Sequence, residues 1–284
     1  MSVGDKGWTY RVQRIANGID KQALKHKFHE EDIDYVQIRS LVPAADVENG
    51  TGDQVATVFF KPKEPHELRL QLHDHSRLVL DKVFLGFTPL NAPVGNAVAD
   101  VIAITGLAGH AFGSWSLHHD HMWLRDYLPD DLYQKVRVLI YGYDSQIQGE
   151  NPPTSILQDH GKRFLSDLLR IRRKVQSQSR PILLIGHSLG GLIVKQALSD
   201  MLPDERSKLP VKQVIFLGVP HGGLNLDALA DVVRGKPSEQ LIGELERNSS
   251  TLRHLASRFR VDWRDLEIHT FWEDRKTPTL IKVQ

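Results

Sequence analysis

The residues with the clearest chemical meaning are Gly186-His187-Ser188-Leu189-Gly190. They follow the apolar run Ile182–Ile185 and open the segment Leu189–Leu198, whose apolar residues recur at helical spacing. A serine between two glycines at a strand-to-helix junction is typical of a nucleophile elbow, because the sharp turn exposes the hydroxyl and only glycines let strand and helix approach. The pattern predicts Ser188 as the nucleophile of an acyl-transfer reaction.

Acyl transfer needs two backbone N–H donors around the oxyanion that forms on the attacked carbonyl. Leu189, directly after the serine, is expected to supply the first of them. The second comes from a loop after an earlier strand, and Thr105–His110 follow the apolar run Val98–Ile104. Either Leu107 or Ala108 is therefore predicted to complete the oxyanion hole.

The serine also needs a histidine as base and an acid that orients the histidine. Glu273, and as second choice Asp274, follow the strand-like run Ile268–Trp272, and an acid between serine and histidine in chain order suits this kind of elbow. The histidine should then follow the last strand, but the sequence ends at Gln284 without one. Of the other histidines, which include His187 and His269, His221 is kept as a candidate. We expect either a fragment, truncated before its histidine, or an impaired hydrolase.

The elements that must position these residues alternate between strands and helices after residue 90. The strand candidates are Val98–Ile104, Val136–Tyr141, Ile182–Ile185, Val214–Val219, Ile268–Trp272 and Leu280–Val283. They do not alternate between polar and apolar residues, as expected for parallel strands covered on both faces. The pattern predicts the α/β class, with residues 91–284 forming a doubly wound, mostly parallel sheet of the α/β-hydrolase type.

Residues 1–90 differ, since their elements are short and flanked by polar residues. The predicted elements are a strand around Trp8–Val12, a helix after Asp20, strands at Tyr35–Leu41 and Val55–Phe60, a helix at His66–Leu80 and a strand at Val83–Phe87. This β-α-β-β-α-β order predicts a small α+β domain of the ferredoxin-like kind. A linker is predicted at residues 88–96, which contain two prolines and a glycine.

The composition excludes several classes of function. The chain has no cysteine, which excludes disulfides and thiolate chemistry. Its 36 lysines and arginines against 35 acidic residues leave a net charge of +1, so no nucleic-acid partner is expected. No cofactor and no metal is expected either, because His118–His121 lack a placed supporting carboxylate. Without a signal peptide or membrane span, the protein is expected to be intracellular, with the basic run Arg170–Lys174 as an alternative membrane contact.

Several motifs taken together resemble one known family. They are Ile104–His110, Ser114-Trp115, Trp123–Pro129, Ile140–Tyr143, Gly186–Leu192, Gly218–Gly222 and Phe271–Glu273. From about Val98 onward the chain resembles the serine active-site containing proteins, lipase-like α/β-hydrolases related to lipases of the GPI inositol-deacylase type. The first 90 residues look like the small domain that precedes the hydrolase in fungal members, where further C-terminal domains follow.

The resemblance implies Ser188 as nucleophile, Glu273 as acid and a histidine in sequence that is not present here. It also implies an ester or acyl-lipid substrate and association with mitochondria or the endoplasmic reticulum. Thr105 stands where the family often has histidine. The sequence thus predicts a serine esterase or lipase, and the alternative is an impaired hydrolase module that acts as a signalling or scaffold domain.

Overall fold

A computed structural model describes residues 7–47, 52–61, 72, 77–118, 121–146, 154–173, 178–226, 233–263 and 266–272. Its strands are β1 (Trp8–Ile15), β2 (Val36–Pro43), β3 (Gln54–Phe60), β4 (Val79–Asp81), β5 (Gly86–Pro89), β6 (Ala99–Ile104), β7 (Ser116–His118), β8 (His121–Met122), β9 (Val136–Gly142), β10 (Ile182–His187), β11 (Val211–Leu217) and β12 (Glu267–Phe271). Its α-helices are α1 (Lys21–Lys25), α2 (Trp123–Asp126), α3 (Leu128–Asp131), α4 (Leu157–Ile171), α5 (Leu189–Asp200), α6 (Pro203–Lys208), α7 (Glu239–Glu244) and α8 (Ser250–Asp262).

The N-terminal residues form a four-stranded antiparallel sheet in the order β2-β3-β1-β4. Apolar side chains of β1 and β3 pack with Leu24 of α1 and with Phe28 into one buried cluster. The helix begins where predicted, because the side chain of Asp20 accepts a hydrogen bond from the Ala23 N–H at 2.7 Å and caps it. Alternating strand residues and one capped helix thus account for this core.

The fourth strand of this sheet is not where the sequence indicated. It is Val79–Asp81, which pairs with β1 opposite residues 11–13. The predicted strand 83–87 lies after β4, and its last two residues, Gly86 and Phe87, begin β5. Asp81 accounts for the choice, since its carboxylate accepts hydrogen bonds from the side chains of Arg11 and Gln13 at 2.8 and 3.1 Å. The helix predicted at His66–Leu80 is wrong at its end, where Val79 and Leu80 belong to β4. Residues 66–71 and 73–76 lie outside the described residues, so the ferredoxin-like description stays a prediction.

The chain divides into two compact units, residues 1–101 with 110–142 and residues 102–109 with 143–284. Strand β6 belongs to both units. In the first unit its sheet neighbours follow in the order β6-β9-β5, with β5 antiparallel to β9. In the second unit the order is β6-β10-β11-β12, with β10, β11 and β12 parallel to one another. This mixed, mostly parallel sheet with helices between its strands confirms the predicted α/β-hydrolase fold.

Part of the predicted linker belongs to the sheet. Thr88 and Pro89 lie in β5, and the Leu90 N–H donates to the Val138 carbonyl at 2.9 Å. The Asn91 side chain donates to the Val136 carbonyl and accepts from the Val138 N–H at 2.9 and 2.8 Å. A division of the chain at residue 90 stays a prediction, and the strand candidate Leu280–Val283 lies outside the described residues.

The helix that follows the predicted nucleophile is buried along almost its whole length. Residues 189–199 of α5 are all buried. It packs tightly on α4, since a Cβ on Gly161 would lie 2.5 Å from the Gln196 Cγ. Such a helix cannot shift without opening the core, so it gives the residues at its N-terminus a fixed place.

Candidate active site

Ser188 lies at the turn between β10 and α5. Its backbone has φ 49° and ψ −123°, a conformation that a residue with a side chain adopts only under strain of about 1–3 kcal/mol. The Ser188 N–H donates to the Leu217 carbonyl of β11 at 2.9 Å, and the Ser188 carbonyl accepts from the Gly191 N–H at 3.1 Å. The turn is therefore held in place from both sides.

The glycines of the motif are required by close backbone contacts. A Cβ on Gly186 would lie 2.4 Å from the Gly191 Cα, so strand and helix touch at this point. A Cβ on Gly190 would lie 2.4 Å from the carbonyl oxygens of Ile104 and Thr105 at the end of β6. Side chains at these positions would push α5 away from β6 and β10 and so displace Ser188.

The side chain of Ser188 is half-buried, and its hydroxyl has no hydrogen-bond partner among the described residues. The loop after β6 lies against it, because a Cβ on Gly106 would be 2.8 Å from the Ser188 Cβ. The structure thus brings together the serine and the loop that carries the predicted second oxyanion donor. A substrate carbonyl attacked by Ser188 would therefore also lie close to this loop.

The two candidates for that donor differ in their hydrogen bonds. Ala108 has a positive φ of 51°, and its N–H donates to the Ser145 carbonyl at 2.9 Å. The Leu107 N–H has no acceptor among the residues that the structure describes. Leu189 is the first residue of α5, where a backbone N–H has no acceptor within the helix. Of the three predicted donors, Leu107 and Leu189 are thus the two whose amides have no acceptor among the described residues.

Side chains beneath this loop hold it in position. The Tyr143 hydroxyl donates to the Thr105 carbonyl at 3.0 Å, and the Ser145 hydroxyl donates to the Gly109 carbonyl at 3.0 Å. The ring of His160 meets the Tyr143 ring edge-on at 5.0 Å, and burial lowers the pKa of His160. A neutral imidazole thus supports the tyrosine that supports the loop.

Among the described residues, His221 forms hydrogen bonds with Lys195 and none with Ser188. Its Nδ1 lies 3.3 Å from the Lys195 Nζ, and its ring meets the Phe216 ring edge-on at 4.8 Å. Burial, and then the positive charge of Lys195, lower the pKa of His221 to about 4. Near pH 7 the ring is neutral and its Nδ1 accepts from the ammonium, so the ring proton is on Nε2. A histidine this weakly basic is poorly suited to deprotonate a serine hydroxyl.

Lys195 is a residue that the sequence analysis missed. It is buried in the middle of α5, and burial, followed by the charge of Arg260, lowers its pKa to about 8. Its Nζ lies 5.2 Å from the centre of the Phe259 ring. The sequence signal was a single lysine within the apolar stretch after the elbow, which by itself also fits a lysine at the helix surface.

Glu273 and Asp274, the predicted acids, lie outside the described residues. Strand β12 leads towards them, and its Phe271 carbonyl accepts from the Gly218 N–H at 2.8 Å. The end of β12 therefore lies beside the loop that follows β11. The side chains of β12 are exposed, and His269 binds Glu267 there, with 2.8 Å between Nε2 and Oε1.

The described residues contain no group of three or more histidine, aspartate or glutamate side chains that could hold a metal ion. Two of the four residues 118–121 that were weighed as metal ligands, His119 and Asp120, lie outside the described part. Across the described ranges, every helix is too short or too polar to cross a bilayer.

The chain is similar to curated proteins that carry one name. It is 30% identical to "Protein SERAC1" of Danio rerio over 206 residues, which are 64% of this chain and 31% of that protein. It is 27% identical to the Mus musculus protein of the same name over 186 residues, 57% of this chain and 28% of that protein. The chain thus spans about a third of the length of these relatives. No family model matches it.

Solved structures similar to this chain include a lipase and a phospholipase. The mature lipase BlEst2 of Bacillus licheniformis matches with a TM-score of 0.47 and 18% identity, covering 65% of this chain and 70% of that one. Phospholipase PlaB of Legionella pneumophila matches with a TM-score of 0.48 and 16% identity, covering 63% of this chain and 39% of that one.

Proposed function

We propose that this chain is a serine hydrolase that cleaves carboxylic esters or acyl lipids through an acyl-enzyme. The observation that carries the proposal is the geometry of Ser188: a strained turn presents a hydroxyl without a partner, next to the amides of Leu107 and Leu189. Few other roles would justify that strain at the start of a buried helix. The lipase-like family resemblance of the motifs agrees with it.

In this reaction the Ser188 oxygen attacks the ester carbonyl carbon and its proton passes to a base. The carbonyl oxygen becomes negative and accepts hydrogen bonds from Leu107 and Leu189. Collapse of the intermediate releases the alcohol, which takes the proton, and leaves the acyl group on Ser188. Water then repeats the sequence and releases the acid. We propose Glu273, with Asp274 as alternative, to orient a histidine located beyond Gln284.

A second candidate function is a signalling or scaffold module with an idle elbow. One observation favours it: among the described residues, no histidine forms a hydrogen bond with Ser188, and His221 is bound to Lys195 instead. A serine without its base retains only a remnant of activity, from binding and the oxyanion hole. The folded chain would then position other parts of a longer protein and catalyse no reaction of its own.

Labelling with a fluorophosphonate probe tests the proposal directly. We expect the chain extended beyond Gln284 to label and its Ser188→Ala variant not to label, because the probe reacts only with an activated serine. The matched control is Ser250→Ala, an exposed serine that starts α8, which should label like the parent. A folded parent chain that never labels, and hydrolyses no ester even when extended beyond Gln284, would establish the scaffold function instead.

Extension of the chain tests the position of the base. If the histidine lies beyond Gln284, the longer chain should hydrolyse p-nitrophenyl esters about 10³–10⁴-fold faster than the chain described here. Ser188→Ala in the longer chain should remove that gain. Equal rates for both lengths would contradict a base beyond Gln284.

A further inference from the structure

His110 directly follows the loop that carries the predicted second oxyanion donor. That loop, residues 105–109, ends at Gly109, and His110 is the first residue of the segment 110–142 that belongs to the first compact unit. The proposed reaction leaves the imidazole of His110 without a role. Because the two residues are joined by a peptide bond, whatever holds the His110 side chain also holds one end of the loop.

The imidazole ring of His110 is bonded to the chain through both of its nitrogens. Nδ1 accepts from the Phe112 and Gly113 N–H groups at 3.2 and 2.8 Å, and Nε2 lies 2.5 Å from the Lys82 carbonyl oxygen. Because amide N–H groups donate and a carbonyl accepts, these contacts assign a neutral ring with its proton on Nε2. The ring thus links the end of the loop to a residue 28 positions earlier in the chain.

Lys82 lies in the turn between β4 and β5, and residues of the N-terminal sheet fix this turn. The Asp81 carboxylate accepts from the Phe84 N–H at 2.7 Å, where the backbone has a left-handed φ of 58°. The buried Arg11 of β1 binds Asp81 at 2.8 Å and donates to the Leu85 carbonyl at 2.9 Å. Since one arginine binds the turn on both sides of Lys82, the Lys82 carbonyl has a fixed place.

The same turn packs against the chain around His110. The Phe84 ring, 0% exposed, meets the His110 ring edge-on at 5.5 Å and lies 5.4 Å from the Phe112 ring. A Cβ on Gly142 would lie 2.1 Å from the Phe84 carbonyl oxygen and 2.9 Å from the Ala111 Cβ. The turn and the segment after the loop therefore meet in a close-packed contact that leaves little room for movement.

We propose that His110 is a positioning residue of the oxyanion hole, because it fixes the end of the loop to the turn at Lys82. The inference rests on the proposed function, and it gives the first 90 residues a task in the reaction. A backbone donor stabilises an oxyanion only when it lies about 2.7–3.1 Å from the charged oxygen. A loop that moves by about 1 Å at its end would take the Leu107 N–H out of this range.

Two conservative substitutions separate the two sets of bonds that the ring makes. The side-chain oxygen of asparagine takes the place of Nδ1, so His110→Asn keeps an acceptor for residues 112 and 113 and loses the bond to Lys82. The longer side chain of glutamine reaches the position of Nε2, so His110→Gln keeps a donor for the Lys82 carbonyl. The matched control is His254→Asn, at an exposed position of α8.

Hydrolysis of p-nitrophenyl butyrate by the chain extended beyond Gln284 tests the proposal. In His110→Asn we expect kcat and kcat/KM to fall together by about tenfold or more, because the oxyanion bond forms fully only in the transition state. His110→Gln should recover most of this loss, and His254→Asn should match the parent. A parent-like kcat in His110→Asn, or an equal fall in both variants of residue 110, would overturn the proposal.

Hydrogen exchange in the Ser188→Ala chain separates this proposal from the hydrolase. The Ala108 amide reports on the loop, because it is bonded to the Ser145 carbonyl. We expect it to exchange about fivefold faster when His110→Asn is added and at an unchanged rate with His254→Asn.

The two proposals fail in different ways. If exchange at Ala108 changes as expected although the extended chain cleaves no ester, the hydrolase proposal fails, and His110 fixes the loop without serving an oxyanion. If esters are cleaved while residue 110 changes neither kcat nor exchange, only the proposal for His110 fails.

Discussion

Buried charged side chains have different kinds of partner in the two compact units. In the first unit, buried arginines are paired with carboxylates: Arg137 binds Asp100 through two hydrogen bonds of 3.0 and 3.1 Å, and Arg11 binds Asp81 at 2.8 Å. In the second unit, the buried Lys195 has a neutral His221 as its neighbour and no carboxylate among the described residues. The buried arginines named in the first unit thus have carboxylate partners, whereas the buried lysine of the second unit has an imidazole.

The difference separates side chains that hold the fold together from groups that are available for a reaction. Both of these arginines also bind a second place in the chain, since Arg137 donates to the Ala45 carbonyl and Arg11 to the Leu85 carbonyl and the Thr88 hydroxyl. Such forked contacts fix segments relative to one another. Around Ser188, by contrast, a hydroxyl and two amides have no partner in the described part of the chain, as expected for groups that bind a substrate. The comparison predicts that substitutions in the first unit, His110 excepted, change stability and that those in the second unit also change reactivity.

The largest effect on stability is expected from Asp100→Ala. It leaves the Arg137 guanidinium buried without its carboxylate, which typically lowers the free energy of unfolding by about 3–5 kcal/mol. Urea unfolding would measure the change. Asp204→Ala, which removes the partner of Lys208 in an exposed pair, is the control and should change stability little.

The double variant Asp100→Leu with Arg137→Met should recover most of that loss, because an apolar pair leaves no charge buried. If Asp100→Ala unfolds no more easily than Asp204→Ala, buried ion pairs do not hold the first unit together, and the comparison between the units fails.

A smaller loss is expected from Gly190→Ala in the elbow. The new methyl group would lie 2.4 Å from the Ile104 and Thr105 carbonyl oxygens, and such overpacking lowers the free energy of unfolding by about 1–3 kcal/mol. Because α5 must move, fluorophosphonate labelling of Ser188 should be lost as well. Gly222→Ala is the control, since a Cβ there meets nothing within 4 Å and both measurements should stay unchanged. Normal labelling of a destabilised Gly190→Ala protein would show that the hydroxyl does not depend on this contact.

A pH dependence of stability is expected from the half-buried His221 and the buried Lys195. His221 has a pKa of about 4 in the folded chain against about 6.5 when unfolded, so the unfolded state binds more protons between these values. The free energy of unfolding should therefore fall as the pH drops from 6.5 to 4. Lys195 has a pKa of about 8 in the folded chain against about 10.5 when unfolded, so here too the unfolded state binds more protons between the two values. The free energy of unfolding should therefore rise as the pH increases from 8 to 10.5.

Thermal unfolding across pH would measure both slopes. His221→Asn should flatten the acid side, and Lys195→Met should remove the alkaline rise and narrow the acid window, because His221 then loses its cationic neighbour. Lys195→Met should be about as stable as the parent near pH 7, in contrast to Asp100→Ala, since no carboxylate loses its partner. If thermal stability depends on pH in the same way in the parent and in both variants, the lowered pKa values of His221 and Lys195 are contradicted.

Local patterns in the sequence predicted much of the fold. The apolar runs became β6, β9, β10 and β11, and Asp20 caps α1, because burial and side-chain capping act over short stretches of chain. Strand β12 formed as well, although its side chains are exposed. The fourth N-terminal strand was misplaced, since only the tertiary contact between Asp81 and Arg11 decides which of two short apolar runs joins that sheet. The predicted linker was likewise wrong in part, because the Asn91 side chain bonds to β9. A local sequence pattern does not indicate such a contact between distant residues.

What the sequence by itself determined is the elbow: a glycine–serine–glycine turn between an apolar strand and helix admits few other conformations, since steric contact over a few residues settles it. The tertiary structure decided which polar groups stay available. Only in the folded chain does the Ala108 amide donate to Ser145 while the Leu107 amide has no acceptor among the described residues, and only there does His221 contact Lys195. Hydrogen bonds and charges between distant residues depend on how the elements pack, and spacing along the chain does not encode that packing.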